Sequence, residues 1–289
     1  MEFYLSALML GFCLSSVSLG IFISMKIFRI PDITTDGSYT LGAVVTAILL
    51  THHWPLYLAI PFTILAGGLA GCLTGLIHTK LKVDALLAGI LVMTALYSVN
   101  LTLLGRSNLP LINIPTIFTY LHLSGNDTYN ELFICIGFIA LITTLIAYLL
   151  RTDFGIAMRA TGNSESMTRA LGINNDLMKI VGLGIANALT ALGGFLVAQY
   201  QNFTDINMGI GIVIVGLGSV LIGDGLIRLF NIQAIWLQLL VVIAGTLIFQ
   251  FVLAFTLSVG VDPNLLKLVT AVFVLLIVGI PAIRLKRNL

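Results

Sequence analysis

Long apolar stretches separated by short polar segments make up most of the chain. They lie at residues 4–27, 39–52, 54–78, 84–104, 131–150, 177–200, 208–223, 229–257 and 264–283. A helix needs about 20 residues to cross a bilayer, and most of the stretches reach that length or nearly so. The second and the seventh are short and rich in glycine, which predicts half-helices or broken spans. The pattern predicts an all-α membrane protein with eight or nine transmembrane helices.

Composition supports the same class. Hydrophobic residues make up 58% of the 289 residues and charged residues only 9%, whereas a soluble domain carries about 25% charged residues. The net charge of +2 does not indicate nucleic-acid binding. The three cysteines stand singly inside apolar stretches, which argues against a disulfide framework or a metal site. The first stretch lacks a basic segment before it, so we expect a transmembrane helix there and not a cleaved signal peptide.

The placement of the charges predicts an orientation. Twelve of the fourteen lysines and arginines, including those of the tail at 284–287, lie in alternate loops; Arg106 and Lys267 lie on the other side. By the positive-inside rule, the loops that carry these twelve residues are expected to face the cytoplasm. The C-terminus is then cytoplasmic, the polar stretch 105–130 is outside, and nine crossings place Met1 outside.

An internal duplication divides this single domain, 1–289. The segment DITTDGSYTLGAVV at Asp32 resembles DINMGIGIVIVGLGSV at Asp205, and VDALLAGILVMTA at Val83 resembles VDPNLLKLVTAVFV at Val261. The two matches have nearly the same separation along the chain. They define repeat one (4–104), a linking span (131–150), a loop (151–176) and repeat two (177–283). Because of the linking span, an odd number of crossings separates equivalent points of the two repeats, so the second copy is inverted in the membrane. Inverted repeats with short, glycine-interrupted helices are typical of transporters.

Polar residues at these short segments are the candidates for a substrate pathway. A carboxylate in hydrocarbon costs on the order of a few kcal/mol unless it meets water or a partner. The alternative is that these side chains cap the helices that follow. Polar groups within spans, such as Asn187 and Gln199, either line a pathway or bond between helices. The candidate pathway residues are Asp32, Thr34, Thr35, Asp36, Ser38, Tyr39, Tyr97, Asn100, Thr204, Asp205 and Asn207.

The loop at 151–176 contains a second kind of candidate. Asn163 or Ser164 can cap a helix that Gly172 ends, which predicts a short helix from Ser164 to Leu171. This helix has apolar residues on one face and charges on the other. A helix that lies on lipid is rich in lysine and arginine beside bulky apolar residues. This one has small residues and one acidic and one basic charge, which favours a protein partner over a lipid surface.

Motifs for enzymatic chemistry are missing from the sequence. It contains no GxxxxGK[ST] phosphate loop, so the chain does not bind ATP by that route. It also contains no G-x-S-x-G or H-E-x-x-H motif, and the four histidines show no metal-ligand spacing. The sequence therefore predicts a non-enzymatic chain that binds no cofactor or metal.

The stretch GIAMRATGNSESMTRALGI at 155–173, followed by ALTALGGFLVA, resembles permease subunits of ATP-binding-cassette (ABC) importers. The resemblance is to the branched-chain amino acid and ribose permease family, in its amino acid-type branch. It implies that this stretch carries the coupling helix that docks into an ATPase subunit. The implied partner-binding residues are Arg159, Asn163, Ser164, Glu165, Met167, Arg169, Leu171 and Gly172.

The resemblance also implies the function. The chain would be the transmembrane subunit of an importer in the bacterial inner membrane, surrounded by lipid and carrying a small polar solute. The solute would be an amino acid, aromatic or branched-chain. ATP and Mg would sit on a separate ATPase subunit. The other partners would be a second permease copy or homologue and an extracytoplasmic solute-binding protein at 105–130. The alternatives are a secondary transporter driven by an ion gradient, and a membrane enzyme or scaffold.

Overall fold

Segments that are apolar on all sides fold as helices, because a bilayer offers no water to their backbone groups. The computed structural model describes residues 2–120, 127–262 and 265–286. Its helices are α1 (Glu2–Ile21), continued by a π-helical turn (Phe22–Ile27), α2 (Thr34–Thr51), α3 (Leu56–Lys80), α4 (Ala85–Leu104), α5 (Ile117–Tyr120), α6 (Asp127–Leu149), α7 (Asp153–Asn163), α8 (Glu165–Ala170), α9 (Asn175–Gln201), α10 (Ile212–Leu229), α11 (Ile235–Ser258) and α12 (Leu266–Lys286). Two short strands, β1 (Asn108–Pro110) and β2 (Phe203–Asp205), form an antiparallel pair.

The helices confirm the predicted fold class of an all-α membrane protein. Within the described residues, seven helices are long and apolar enough to cross a membrane. The helix α2 has a carboxylate in its first turn and is not one of the seven. The apolar part of α12 that can be described is the shorter segment Leu266–Ile277. The total of eight or nine spans therefore stays a prediction.

Both short segments have boundaries that differ from the predicted ones. The helix α2 begins at Thr34, five residues before the apolar stretch at 39–52, because polar residues of its first turns are buried by neighbouring helices. The helix α10 begins only after Gly211, whose φ of 92° is a left-handed conformation that suits glycine. It continues past residue 223 to Leu229, since Asp224 and Arg228 form an ion pair along its last turn.

Ion pairs identify one end of the bundle. We call it the basic end, and it carries Lys26, Lys80, Lys179 and Arg228. There Lys80 pairs with Asp176 at 3.0 Å, which joins the end of α3 to the start of α9. At the opposite end, β1 and β2 join the segment after α4 to the segment after α9. Residues 121–126 of the predicted outer stretch and 287–289 of the tail lie outside the described residues, and which end faces the cytoplasm stays a prediction.

The helix α9 lies at the centre of the bundle and packs mainly against α3, α2 and α1. Small residues let these backbones approach closely, as is common between membrane helices. A Cβ at Gly71 of α3 would lie 2.1 Å from the Leu183 carbonyl oxygen, and one at Gly194 of α9 would lie 2.0 Å from that of Tyr39. The helix α2 is therefore fixed against α9 along most of its length.

The first matched pair of segments in the proposed repeats, at Asp32 and Asp205, has similar local geometry. The Asp32 carboxylate accepts a hydrogen bond from the Thr34 amide at 2.9 Å, and the Asp205 carboxylate accepts one from the Asn207 amide at 2.8 Å. The following helices run in opposite directions, since α2 leads away from the basic end and α10 leads to it. In the second matched pair, residues 263–264 lie outside the described residues. The division into inverted repeats stays a prediction.

Candidate functional site

Asp32 is a buried carboxylate held by polar groups of two neighbouring elements. Its Oδ2 accepts a hydrogen bond from Asn187 Nδ2 at 2.7 Å, and its Oδ1 accepts from the Thr34 amide. Ser38 donates to Asn187 Oδ1 at 2.7 Å. Thr34 in turn shares a hydrogen bond of 2.7 Å with Thr74 of α3. This network ties the start of α2 to both α9 and α3.

Asp36, one turn further along α2, contacts a different helix. Its carboxylate accepts hydrogen bonds from the amides of Gly211 at 3.0 Å and Val213 at 2.8 Å, at the start of α10. The N-terminal end of a helix carries unpaired amides and a partial positive charge, so it stabilises a carboxylate. A Cβ at Gly209 would lie 2.0 Å from the Asp36 carbonyl oxygen, so the two segments are in direct contact.

A small cleft lies beside this contact, between α4 and the turn before α10. Tyr97 and Asn100 line it together with Asp36, and its volume is about 30 Å³. Asn100 is 1% exposed and donates from Nδ2 to the Gly37 carbonyl at 3.3 Å. Its Oδ1 has no hydrogen-bond partner among the described residues. Tyr97 is 46% exposed at the rim.

The other pathway candidates lie outside this cleft. Tyr39 is 2% exposed and packs in the main apolar core. Thr35 donates to the Asp32 carbonyl at 3.2 Å, and Thr204 donates to the Ala43 carbonyl at 3.4 Å. Asn207 is exposed in the turn before α10. The structure thus brings Asp36, Tyr97 and Asn100 together, and their role in transport stays a prediction.

The predicted short helix in the loop at 151–176 is α8. Ser164 is its N-cap and accepts from the Met167 amide at 3.4 Å. Gly172 follows the helix with a φ of 80°, which is left-handed as expected after a helix end. Asn163, the alternative cap, is the last residue of α7.

Polar contacts fix α8 to the start of α9. Thr168 donates to Asn175 Oδ1 at 2.8 Å, and Asn175 Nδ2 donates to the Glu165 carbonyl at 2.7 Å. The Glu165 carboxylate pairs with Lys179 at 2.7 Å. Thr168 and Asn175 are buried, so α8 and the first turn of α9 form one unit.

The opposite face of α8 is exposed. Met167 is 65% and Leu171 68% exposed, and Arg169 is also exposed. A groove of about 700 Å³ borders this face, and its lining includes three basic residues and three acidic ones, Lys82, Arg169, Lys179, Asp84, Glu165 and Asp176. Exposed apolar side chains rimmed by charges are typical of a protein-interaction surface.

Residues of α7 face the turn that ends α1. Arg159 and Asn163 are exposed and line a second groove, of about 500 Å³, with Lys26. A Cβ at Gly162 would lie 1.7 Å from the Ile27 carbonyl oxygen, so α7 packs directly on the π-helical turn. π-Helical turns are rare and frequently lie at functional sites.

Two residues of these networks are missing from the predicted site. Asn187 forms hydrogen bonds with Asp32 and Ser38, which is the second of the two alternatives for a polar residue in a span. These partners are far away in the sequence, so the sequence did not indicate them. Asp224 pairs with Lys26 and Arg228, and joins α10 to the turn after α1. The predicted stretch ended at residue 223, so Asp224 counted as a loop residue. Its position four residues before Arg228 could have indicated an ion pair along a helix.

A bundle of long apolar helices with buried polar links and an exposed, anchored α8 defines a multi-pass membrane transport protein. Residues 3–279 match the family described as branched-chain amino acid transport system / permease component. The chain belongs to this family of ABC-importer permeases, which are transport proteins and not enzymes.

Individual relatives agree with this family. A tyrosine transport system permease protein of Clostridioides difficile is 38% identical over 262 residues, 91% of this chain and 85% of that protein. An uncharacterized protein of Rickettsia prowazekii is 34% identical and covers 94% of this chain and 95% of its own. The ribose import permease protein RbsC of Haemophilus influenzae is 24% identical over 66% of this chain and 59% of its own length.

Proposed function

We propose that this chain is the transmembrane subunit of an importer that takes up an aromatic or branched-chain amino acid across the bacterial inner membrane. The basic end then faces the cytoplasm, with the C-terminus on the same side. The amino acid class rests on the family and on the 38% identity to a tyrosine transport permease. The energy comes from a separate ATPase subunit, which holds ATP and Mg.

The exposed face of α8 is the observation that carries the coupling part of the proposal. Met167 and Leu171 are largely exposed on a helix whose other side is anchored to α9 by Thr168 and Asn175. A surface that is apolar, exposed and rigidly connected can transmit a displacement of the partner that binds it. The ATPase therefore docks on α8 and the adjoining groove.

The contacts described above offer a route from this surface into the membrane. A movement of α8 reaches α9 through Asn175, and α9 holds α2 through Asn187 and Asp32. The helix α2 in turn holds the start of α10 through Asp36. Each link is a hydrogen bond between residues of different segments, so displacement of one segment shifts the next. We assign the alternating access of the pathway to this chain of contacts.

Two further partners complete the proposed assembly. A second copy of the permease, or a homologue, shares the pathway. An extracytoplasmic binding protein delivers the amino acid to the end that carries β1 and β2. Its contact includes the described part of the stretch 105–130, where Ile112 is 71% exposed.

The test is reconstitution of the permease with the candidate ATPase and binding protein in proteoliposomes. Uptake of labelled tyrosine or leucine should need ATP and all three proteins. Met167→Asp and Leu171→Asp should each release the ATPase during purification and abolish uptake, because a buried charge replaces an apolar contact. Ile112→Asp makes the same change at the opposite end and should retain the ATPase.

The result also separates this function from its alternative. Uptake by the permease alone, driven by an ion gradient and indifferent to ATP, would show a secondary transporter. Retention of the ATPase by both α8 variants would refute the assignment of α8 as its docking surface.

A further inference from the structure

An open groove lies between the membrane-spanning helices α6 and α11. Its volume is about 480 Å³, within the range of roughly 300–1,000 Å³ that is usual for ligand pockets. The side chains around it are exposed on both helices, since Leu145 of α6 is 58% and Leu240 of α11 is 47% exposed. Apolar side chains exposed on membrane-spanning helices meet hydrocarbon, so the groove opens towards lipid.

The deep part of the groove suits an acyl chain. Thr143 and Thr144 belong to its lining, but their hydroxyls donate to the carbonyls of Ile139 at 2.6 Å and Ala140 at 2.8 Å. This wall therefore has no free hydrogen-bond donor. Thr143 lies about two helical turns before Arg151, or roughly 11 Å. The groove thus extends from the end of α6 well into the hydrocarbon.

The mouth of the groove carries three hydrogen-bond donors. They are the guanidinium group of Arg151, the hydroxyl of Tyr148 and the indole N–H of Trp236. None of these side chains has a hydrogen-bond or ion-pair partner among the described residues. Arg151 is also the only charged residue in the described lining of the groove. Arginine binds phosphate oxygens in a bidentate manner, so the mouth suits a phosphate group.

The mouth lies where phospholipid headgroups are found. Arg151 follows the last residue of α6 at the basic end of the bundle, and Trp236 is the second residue of α11. Both positions are therefore at helix ends, close to the membrane surface. Tryptophan and tyrosine are enriched at this level because one side of each ring is apolar and the other is polar.

We propose that the groove between α6 and α11 binds a phospholipid with an anionic headgroup. Its phosphate lies at Arg151, Tyr148 and Trp236, and an acyl chain follows the groove along the two helices. A basic pocket between membrane helices is a known kind of site for anionic headgroups. The ammonium group of a zwitterionic headgroup would find no carboxylate in the described lining. Thr152, the next residue after Arg151, is the N-cap of α7, so the lipid binds beside the junction of α6 and α7.

Trp236 reports on the groove directly, because the chain contains only one other tryptophan. That residue, Trp54, follows α2 at the opposite end and is 48% exposed, so Trp54→Phe should fold and leave a single reporter. The purified Trp54→Phe protein in detergent is titrated with phosphatidylglycerol or phosphatidylcholine that carries bromine on its acyl chains. Bromine quenches tryptophan fluorescence on contact. Half-maximal quenching should need about fivefold less phosphatidylglycerol, the preference expected from one arginine near anionic lipid.

Two variants in the Trp54→Phe background assign the preference to this groove. Arg151→Gln should remove it and leave the quenching by phosphatidylcholine unchanged. Lys82→Gln is the matched control, because it removes the same charge from an exposed residue of the basic end that does not line this groove. It should retain the fivefold preference.

Three outcomes would overturn the proposal. One is equal quenching by the two lipids in Trp54→Phe itself, a comparison that does not depend on how an Arg151 variant folds. Another is a preference that persists in Arg151→Gln or is lost in Lys82→Gln, which would assign it to the charge of the whole basic end. The third is a fluorescence that neither lipid quenches, which would show that a protein surface, such as a second copy of the chain, covers the groove.

Discussion

Replacing Asn187 by leucine tests the link between α9 and α2. The change removes the donor to the buried Asp32 carboxylate and the acceptor of the Ser38 hydroxyl, both at 2.7 Å. A hydrogen bond to a charged group contributes about 1.5–3 kcal/mol, and one between neutral groups of membrane helices about 0.6 kcal/mol on average. The variant should therefore lose about 2–4 kcal/mol of stability, roughly a 30- to 900-fold change in the folding equilibrium.

Thermal unfolding in detergent measures this loss. An unfolding entropy of about 2.1 cal/mol/K per residue over 289 residues gives roughly 1.6 °C per kcal/mol, so the midpoint should fall by roughly 3–7 °C. Asn207→Leu is the control, because Asn207 is exposed in the turn before α10. Its effect should stay within about 0.5 kcal/mol.

Exchange of the two partners provides a stricter test. In the double variant Asp32→Asn with Asn187→Asp, the exchanged amide can donate to the exchanged carboxylate, and Ser38 retains an acceptor. Asn187→Asp alone places two carboxylates together and should be less stable than the double variant, since like charges repel. A midpoint for Asn187→Leu within 1 °C of the unaltered protein (roughly 0.6 kcal/mol) would refute the reasoning. So would a double variant that is no more stable than Asn187→Asp.

Two further predictions concern the elements on either side of this link. Asp36→Ala leaves two amides at the start of α10 without their acceptor and should cost about 1–2 kcal/mol. Asp36→Ala should also slow uptake. Asp205→Ala frees only one amide, in an outer turn, and should therefore lower the unfolding midpoint and the initial rate of uptake less. Equal effects of the two variants on midpoint and rate would contradict this reasoning. Gly162→Ala should displace α7 from the π-helical turn and reduce uptake per molecule, because the added methyl would lie 1.7 Å from a backbone oxygen. Gly137→Ala, where a methyl meets open space, should have the uptake of the unaltered protein.

Local signals in the sequence account for the position of the helix α8. The residues that begin and end a helix act on backbone groups only three or four positions away. Ser164 and Gly172 therefore define α8 before any tertiary contact is known. Met167 and Leu171 are four positions apart, so helical periodicity places them on one side, but the packing of α8 against α9 decides that this side is exposed.

Long-range partners could not be predicted in the same way. Asp36 lies in the first turn of α2, where capping of its own helix was the local alternative to a pathway role. It instead caps α10, whose start lies about 175 residues away. Tyr39 was a pathway candidate, and it lies in the apolar core. Neighbouring positions on a helix point in different directions, and only packing determines which direction meets water.

The sequence by itself determined that the chain is helical and lives in a membrane, because hydrocarbon admits few charges and requires every backbone group to be paired within the helix. It also determined where α8 begins and ends, since caps are local. Only the tertiary structure decided which carboxylate meets which amide. Asp32 with Asn187, Asp36 with the start of α10 and Asp224 with Lys26 each join residues more than 150 positions apart. Such pairs depend on close approach of helices at small residues, and their geometry exists only once the whole bundle is packed.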